Sequence, residues 1–422
     1  MRKTSVVLGI LLLLLCLAGC GLQLEAPQTV SRETLEGLQT GLYPAPAPEV
    51  QPDPAPVPQP APQPAPQPVP VPQPTEAELR QVRAEEILAN MTIEQQVGQV
   101  LIAHSPGPYG DAAGDMEQLQ LGGWLLFKRD FQDKSGNWLT AEAFAEQLER
   151  YGAGAAITPF FGTDEEGGPV VRASQNPNLF PEGPCLSAQK LYKQGGLEAL
   201  LQDATEKSAT LLSHGINLNF APVVDVSTNS RDFIYPRTLG QDAQTTADYA
   251  AAVTEQLKTS GVGAVLKHFP GYGNNRDTHT GVVTDVRPWE QFESCDLLPF
   301  RAAIEAGASA VLVSHNIVTC LDAALPASLS PAVYDLLRQE LSFTGVAITD
   351  DLAMDAVEDY ARGNSAAVMA LQAGADMVLT DKPKENIAQV CAALDSGELP
   401  LQRLQEAVLR ILLWKLELGV IQ

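Results

Sequence analysis

Val346-Ala347-Ile348-Thr349-Asp350-Asp351 is a short apolar run that ends in two carboxylates. A β-branched run of this length reads as a strand buried on both faces, and the acids mark where it reaches water. The same grammar recurs along the chain. Ile157–Phe161 is followed by Asp164, Leu218–Val224 by Asp225, and Ala264–Leu266 by Lys267-His268. Ala310–Val313 precedes His315 and Met377–Leu379 precedes Asp381, while Trp124–Phe127 adds another apolar run. Helical patterns lie between them, at Thr245–Leu257, Pro331–Glu340, Ser365–Ala373 and Gln402–Leu418. Alternating buried strands and helices predict an α/β fold with a parallel sheet. A doubly wound sheet would place a glycine-rich phosphate turn after its first strand, and no Gly-x-Gly-x-x-Gly stands there. Polar residues closing so many strands are what a (β/α)8 TIM-type barrel needs, since all its strand C-termini open onto one mouth.

Thr75-Glu76-Ala77-Glu78 has the form of a capping box, so the folded body is expected to begin with a helix there and to occupy 76–422 as one barrel domain. No second linker and no short-period repeat interrupts it. Upstream the composition changes. Pro44 to Pro74 carries proline at nearly every second position, which excludes helix and sheet and favours polyproline II. At full extension this stalk would reach about 90 Å. Arg2 and Lys3 precede the apolar run Val6–Leu17, and Leu17-Ala18-Gly19-Cys20 follows. The run is shorter than the roughly 20 residues of a membrane span and has the form of a secretory signal. Leu-Ala-Gly-Cys resembles the bacterial lipobox, which implies a signal peptide over 1–19 and a lipid on Cys20, with 20–75 as anchored N-terminus and disordered proline-rich linker. An ordinary secretory signal or an uncleaved anchor is the alternative.

The 422 residues carry 51 acidic and 27 basic side chains, a net charge of −24. Such a polyanion repels nucleic acid and acidic membrane surfaces, so binding to either by charge is not expected. Six cysteines are too few for a disulfide-stapled scaffold; Cys185, Cys295, Cys320 and Cys391 show no close pairing and their redox state stays open. His268 and His279 with Asp277 could ligate zinc, but no His-Glu-x-x-His or paired-cysteine spacing accompanies them, and neither metal nor other cofactor is expected. Gly-x-Ser-x-Gly is absent.

Two features then carry chemistry. One is the strand-terminal carboxylate Asp350. The other is the segment from Lys267 to His279, whose proline and glycine content makes it a long loop ending in Asp277-Thr278-His279. Residues two apart on an extended chain share a face, so Asp277 can accept from the His279 ring and raise its pKa. The spacing is equally that of an ion pair that only pins the loop.

Lys267-His268-Phe269-Pro270-Gly271 followed by Asp-x-His resembles the signature of glycoside hydrolase family 3, in its β-N-acetylglucosaminidase branch. The resemblance runs from Met91 to about Val420, through Met91-Thr92-Ile93-Glu94, Gly122-Gly123-Trp124-Leu125-Leu126-Phe127, Asp164-Glu165-Glu166-Gly167-Gly168, Asn217 to Val226 and Leu329-Ser330-Pro331. It implies the same barrel. It also implies that Asp350 is the nucleophile, His279 the acid/base and Asp277 its partner, and that Asp164, Arg172, Arg237, Lys267 and His268 hold the terminal sugar. A histidine starts near 6.5 and needs little tuning for proton transfer at neutral pH. His315 matches a mouth position, whereas His104 and His214 read as core or helix-end residues and the aromatics of Trp289–Phe300 as packing. Three departures stand out. Tyr272 occupies the usual histidine of Gly-His-Gly in a loop one residue shorter, Pro169 replaces an arginine, and Pro236-Arg237-Thr238-Leu239-Gly240 stands for Arg-Ser-Phe-Gly. They leave the aglycone open.

The expected function is an exo-acting, retaining β-N-acetylhexosaminidase on GlcNAc-terminated muropeptides or related glycans, held on the outer face of the cell membrane by its lipid. The alternatives are a β-glucosidase or glycoside phosphorylase of the same family, and a non-catalytic sugar-binding lipoprotein.

Overall fold

The computed structural model describes residues 73–276, 281, 283–353, 357, 360–361 and 363–422. The signal, Cys20 and nearly all of the proline-rich stretch lie outside the described residues, as do Asp277 and His279. The body opens as the capping box requires. The Thr75 hydroxyl accepts from the Glu78 amide, the Glu78 carboxylate accepts from the Thr75 amide at 2.7 Å, and a helix runs over Glu76–Asn90.

Eight strands close a parallel barrel: β1 (Leu101–His104), β2 (Gly123–Leu126), β3 (Phe160–Thr163), β4 (Leu218–Asn219), β5 (Gly263–Phe269), β7 (Ala310–Val313), β9 (Val346–Asp351) and β10 (Met377–Thr380). Their order around the barrel is β1-β10-β9-β7-β5-β4-β3-β2, and β6 (Thr284–Asp285) pairs with β8 (Ile317–Val318) outside it. A helix follows each barrel strand, among them Ala141–Gly152 after β2, Ala188–Ser213 after β3, Ala243–Ser260 after β4 and Pro383–Ser396 after β10. The strands are almost wholly buried, which is why they read as continuous apolar runs.

Some expected boundaries move for local reasons. β4 was expected over Leu218–Val224 and ends at Asn219, because Pro222 has no amide to donate and the chain bends there. The carbonyls of Ala221 and Pro222 instead accept from Val265 and Lys267. β3 starts at Phe160 rather than Ile157, just past Pro159. The helix expected over Pro331–Glu340 is α-helical to Asp335 and continues as a π-turn.

The two ends of the barrel do different work. At the N-terminal end Asp376 takes Arg338, Arg403 and Arg410, and the helix Leu401–Glu417 packs Trp414 on Phe160 at 4.8 Å. Lys415 lies fully buried beneath the same barrel end. Its ammonium donates to Gln99 Oε1 at 2.7 Å and the Thr158 carbonyl at 2.8 Å, and burial pushes its pKa down to about 7 from 10.5. Between those pH values the unfolded chain holds the proton that the native state releases. Native stability therefore rises with pH across this window, by several kcal/mol in all. The urea midpoint is expected to increase from pH 7.5 to pH 9.5, and that increase should shrink in Lys415→Met. Equal increases in the two proteins would assign the titration elsewhere.

Candidate active site

The C-terminal strand ends surround an open cavity lined by Leu125, Phe127, Asp164, Glu166, Val170, Arg172, Phe220, Arg237, Lys267, His268, Tyr272, Leu312, Asp350, Asp351 and Leu379. Every residue that the sequence assigned to the site within the described chain lines it. Three other strand-end groups do not. Asp225 and His315 are buried behind the wall, and Asp381 stands exposed away from the cavity.

One wall is a charge network seated on β3 and β5. Lys267 projects from β5 and bonds Asp164 at 2.8 Å and Glu166 at 2.6 Å. Arg237 grips the same Glu166 through two bonds of 2.7 and 2.9 Å. Burial acts most strongly on Glu166 and would raise its pKa. Lys267 and Arg237 overcome it and hold the carboxyl at about 2. An Arg237 N–H also points to His268 Nε2 at 3.0 Å, so that nitrogen accepts and the Nδ1–H donates to Asp225 at 2.7 Å. Asp225 further takes the amides of His268 and Tyr272 at 3.1 and 2.7 Å, which fixes the ring and the chain beyond it. The Lys267–His268 and Phe269–Pro270 peptide bonds at this corner are cis.

Arg172 reaches the cavity from the loop after β3. Its placement depends on Glu165, which is fully buried and accepts from the amides of Arg172, Ala173 and Ser174 and from the Ser174 hydroxyl. Three consecutive acids thus have three tasks. Asp164 meets Lys267, Glu165 folds the loop that bears Arg172, and Glu166 joins the two cations. The sequence marked only Asp164, and nothing in the spacing separates the other two from solvated acids. Asp225 closes an apolar run just as the mouth residues do, but its work is to orient His268.

Asp350 stands opposite this wall at the end of β9. Burial, again the strongest influence, works against its charge. His315, the Asp351 amide at 2.9 Å and Lys267 outweigh burial and hold the carboxyl below its ordinary value. Asp350 is therefore a carboxylate at neutral pH.

The segment beyond His268 is pinned on both sides of the undescribed residues. Arg287 bonds Asp285 and Asp296 and reaches the Gly271 carbonyl, while Asn275 donates to Asp285 at 2.7 Å. A Cβ on Gly273, whose φ is +57°, would fall 2.3 Å from the Arg287 guanidinium carbon, so the second glycine of Gly271-Tyr272-Gly273 is required by packing. Tyr272 is buried, lines the cavity and sits edge-on to His268.

His214 ends its helix as expected, capping Ala188–Ser213. Phe292 and Phe300 are core residues, also as expected. His104 is neither core nor helix end: it finishes β1 at the mouth and bonds Asp351 at 2.6 Å.

Comparison with known proteins places this geometry. The profile of the glycosyl hydrolase family 3 N terminal domain matches residues 78–413. A β-hexosaminidase of Stenotrophomonas maltophilia is 35% identical over 268 residues, covering 62% of this chain and 76% of that protein. The β-hexosaminidase LpqI of Mycobacterium tuberculosis is 36% identical over 259 residues, covering 59% and 66%. Among solved structures, a family 3 β-N-acetylglucosaminidase from Paenibacillus superposes with a TM-score of 0.69 at 29% identity, over 78% of this chain and 63% of that one. The M. tuberculosis LpqI structure gives 0.68 at 30% identity, over 78% and 95%. A β-glucoside phosphorylase at 21% identity shares the fold. The chain therefore belongs to glycosyl hydrolase family 3, alongside its β-hexosaminidases, and is a glycoside hydrolase.

Proposed function

We propose that the protein is an exo-acting, retaining β-N-acetylhexosaminidase that removes terminal GlcNAc. One observation carries the reading: an ionised carboxylate, Asp350, faces a wall of cations across an open cavity at the barrel mouth. Retaining hydrolysis needs a carboxylate that attacks the anomeric carbon to form a glycosyl ester, and an acid that protonates the departing oxygen. Asp350 takes the first part. His279, paired with Asp277, takes the second, first giving its proton to the leaving group and then accepting one from the attacking water.

Lys267, Arg237 and Arg172 donate to the hydroxyls and acetamido group of the bound ring, and Asp164 and His268 complete the set. Lys267 and Arg237 are already held by carboxylates, so they meet the substrate with little orientation left to lose. Conversely, the cationic wall favours the ionised form of Asp350 between turnovers. GlcNAc-terminated muropeptides or related glycans, reached from the outer face of the membrane through a lipid on Cys20, are the proposed setting. The lipobox-like Leu17-Ala18-Gly19-Cys20 and the proline-rich stretch support it.

Nitrophenol release from β-GlcNAc and β-glucose glycosides, with and without phosphate, tests the activity. Faster release from the GlcNAc glycoside, independent of phosphate, is the expected result. Phosphate-dependent turnover would replace hydrolysis by phosphorolysis, and binding of GlcNAc without turnover of either glycoside would leave a sugar-binding protein.

A further inference from the structure

Asp350 lies in an irregularity of the sheet. Along the β9–β10 ladder Met377 pairs with Ile348 and Leu379 with Asp351, so Thr349 and Asp350 face the single residue Val378. Two residues against one is a β-bulge, a device that re-aims a side chain, and it holds its shape only if the strand is secured where pairing resumes. Asp351 is that point. Its amide donates to Asp350 Oδ1 at 2.9 Å, and its carbonyl accepts from His315 Nε2 at 2.9 Å. Its carboxylate takes the Ala353 amide at 3.0 Å on one oxygen and His104 Nε2 at 2.6 Å on the other. His104 comes from β1, across the end of β10, and its ring is set edge-on against Phe127 at 4.7 Å. Phe127 in turn carries the Arg129 guanidinium 4.7 Å from its centre. No step of the reaction described above uses His104.

We propose that His104 is a positioning residue for the nucleophile: by holding the Asp351 carboxylate it secures the Thr349–Asp350 bulge and keeps the Asp351 amide on the Asp350 carboxylate. The inference rests on Asp350 being the nucleophile and adds how it is aimed. Without His104 the Asp351 side chain keeps, among the described residues, the neighbouring Ala353 amide, the bulge gains freedom, and the amide bond to Asp350 lengthens. Weakening a hydrogen bond to the charged form raises a carboxyl pKa. The other groups that face Asp350, namely His315 from the end of β7 and Lys267 and His268 from β5, are unaltered by the change.

The pH profile of kcat/KM on a nitrophenyl β-GlcNAc glycoside decides the matter. In His104→Ala, kcat is expected to fall about tenfold or more, KM to move little, and the acid limb to shift to higher pH by about one unit. His104→Gln keeps an N–H for Asp351 without carrying charge, and it is expected to return the acid limb to the wild-type position. If His104→Ala does not fold, the Gln variant decides alone: an acid limb at the wild-type position supports the proposal, and a shifted one overturns it. An unmoved limb in His104→Ala, a Gln variant that behaves like Ala, or a raised KM with unchanged kcat would each overturn it, the last making His104 a sugar ligand. Asp350→Asn separates the two levels. Near-normal turnover there removes the nucleophile reading itself, whereas an Asp350→Asn that loses kcat by orders of magnitude, with an unmoved limb in His104→Ala, removes only the role of His104.

Discussion

Asp350→Asn is expected to lower kcat for a β-N-acetylglucosaminide by about 10⁴-fold or more while leaving the barrel folded and GlcNAc bound. Asparagine has the shape of aspartate and its amide oxygen still accepts from the Asp351 N–H, so the bulge keeps its internal bond. What disappears is the charged oxygen that attacks the anomeric carbon. The groups proposed to hold the sugar lie on β3, β5 and their loops and are anchored to one another rather than to Asp350. Calorimetric titration with GlcNAc should therefore still show binding in the variant. The wild-type pH profile has a matching signature. Since Asp350 is held below its ordinary pKa, kcat/KM is expected to be full at neutral pH and to fall on acidification only below the usual carboxylate value of about 4. Near-normal turnover in Asp350→Asn would exclude the glycosyl-ester route through this residue.

How much of this was legible beforehand depends on how local each signal is. A buried strand with a polar end is a pattern of half a dozen adjacent residues, so Asp164, Lys267, His268 and Asp350 could be placed at one mouth from alternation alone. The resemblance added Arg172 and Arg237, which sit in loops where no periodicity operates. The bulge at Thr349–Asp350 could not be read, because it exists only in the register between β9 and β10, strands that are not contiguous in the chain. For the same reason the bond between His104 and Asp351, 247 positions apart in the chain, is missing from the reading of His104 as a core or helix-end residue. Glu165 and Glu166 hid for a different reason. Composition makes acids common here, and only burial separates a structural carboxylate from a solvated one.

Glu166→Ala is expected to cause the larger loss of stability, about 3–5 kcal/mol, because it deletes the one anion shared by two buried cations. The Glu166 side chain is 2% exposed, and Lys267 and Arg237 are 3% and 14% exposed. Without it Lys267 keeps Asp164, while Arg237 keeps only the neutral His268 nitrogen as its partner within the network. Both side chains would then move toward water and away from the positions proposed to meet the sugar, so KM should rise along with the fall in Tm. Glu166→Gln separates charge from shape by filling the space while leaving one positive charge uncompensated. Its wild-type reference has a definite pH dependence. The carboxyl titrates at about 2 in the native state against 4.5 in the unfolded chain, so its stabilisation is complete above 4.5 and is lost as pH falls toward 2. The interval corresponds to about 3 kcal/mol at 1.36 kcal/mol per pKa unit, in keeping with the cost expected for Glu166→Ala. Urea unfolding of wild type and Glu166→Gln at pH 5.5 and pH 3 measures it directly. The stability gap between them should narrow at the lower pH, and a gap independent of pH would show that Glu166 acts through packing rather than through its charge.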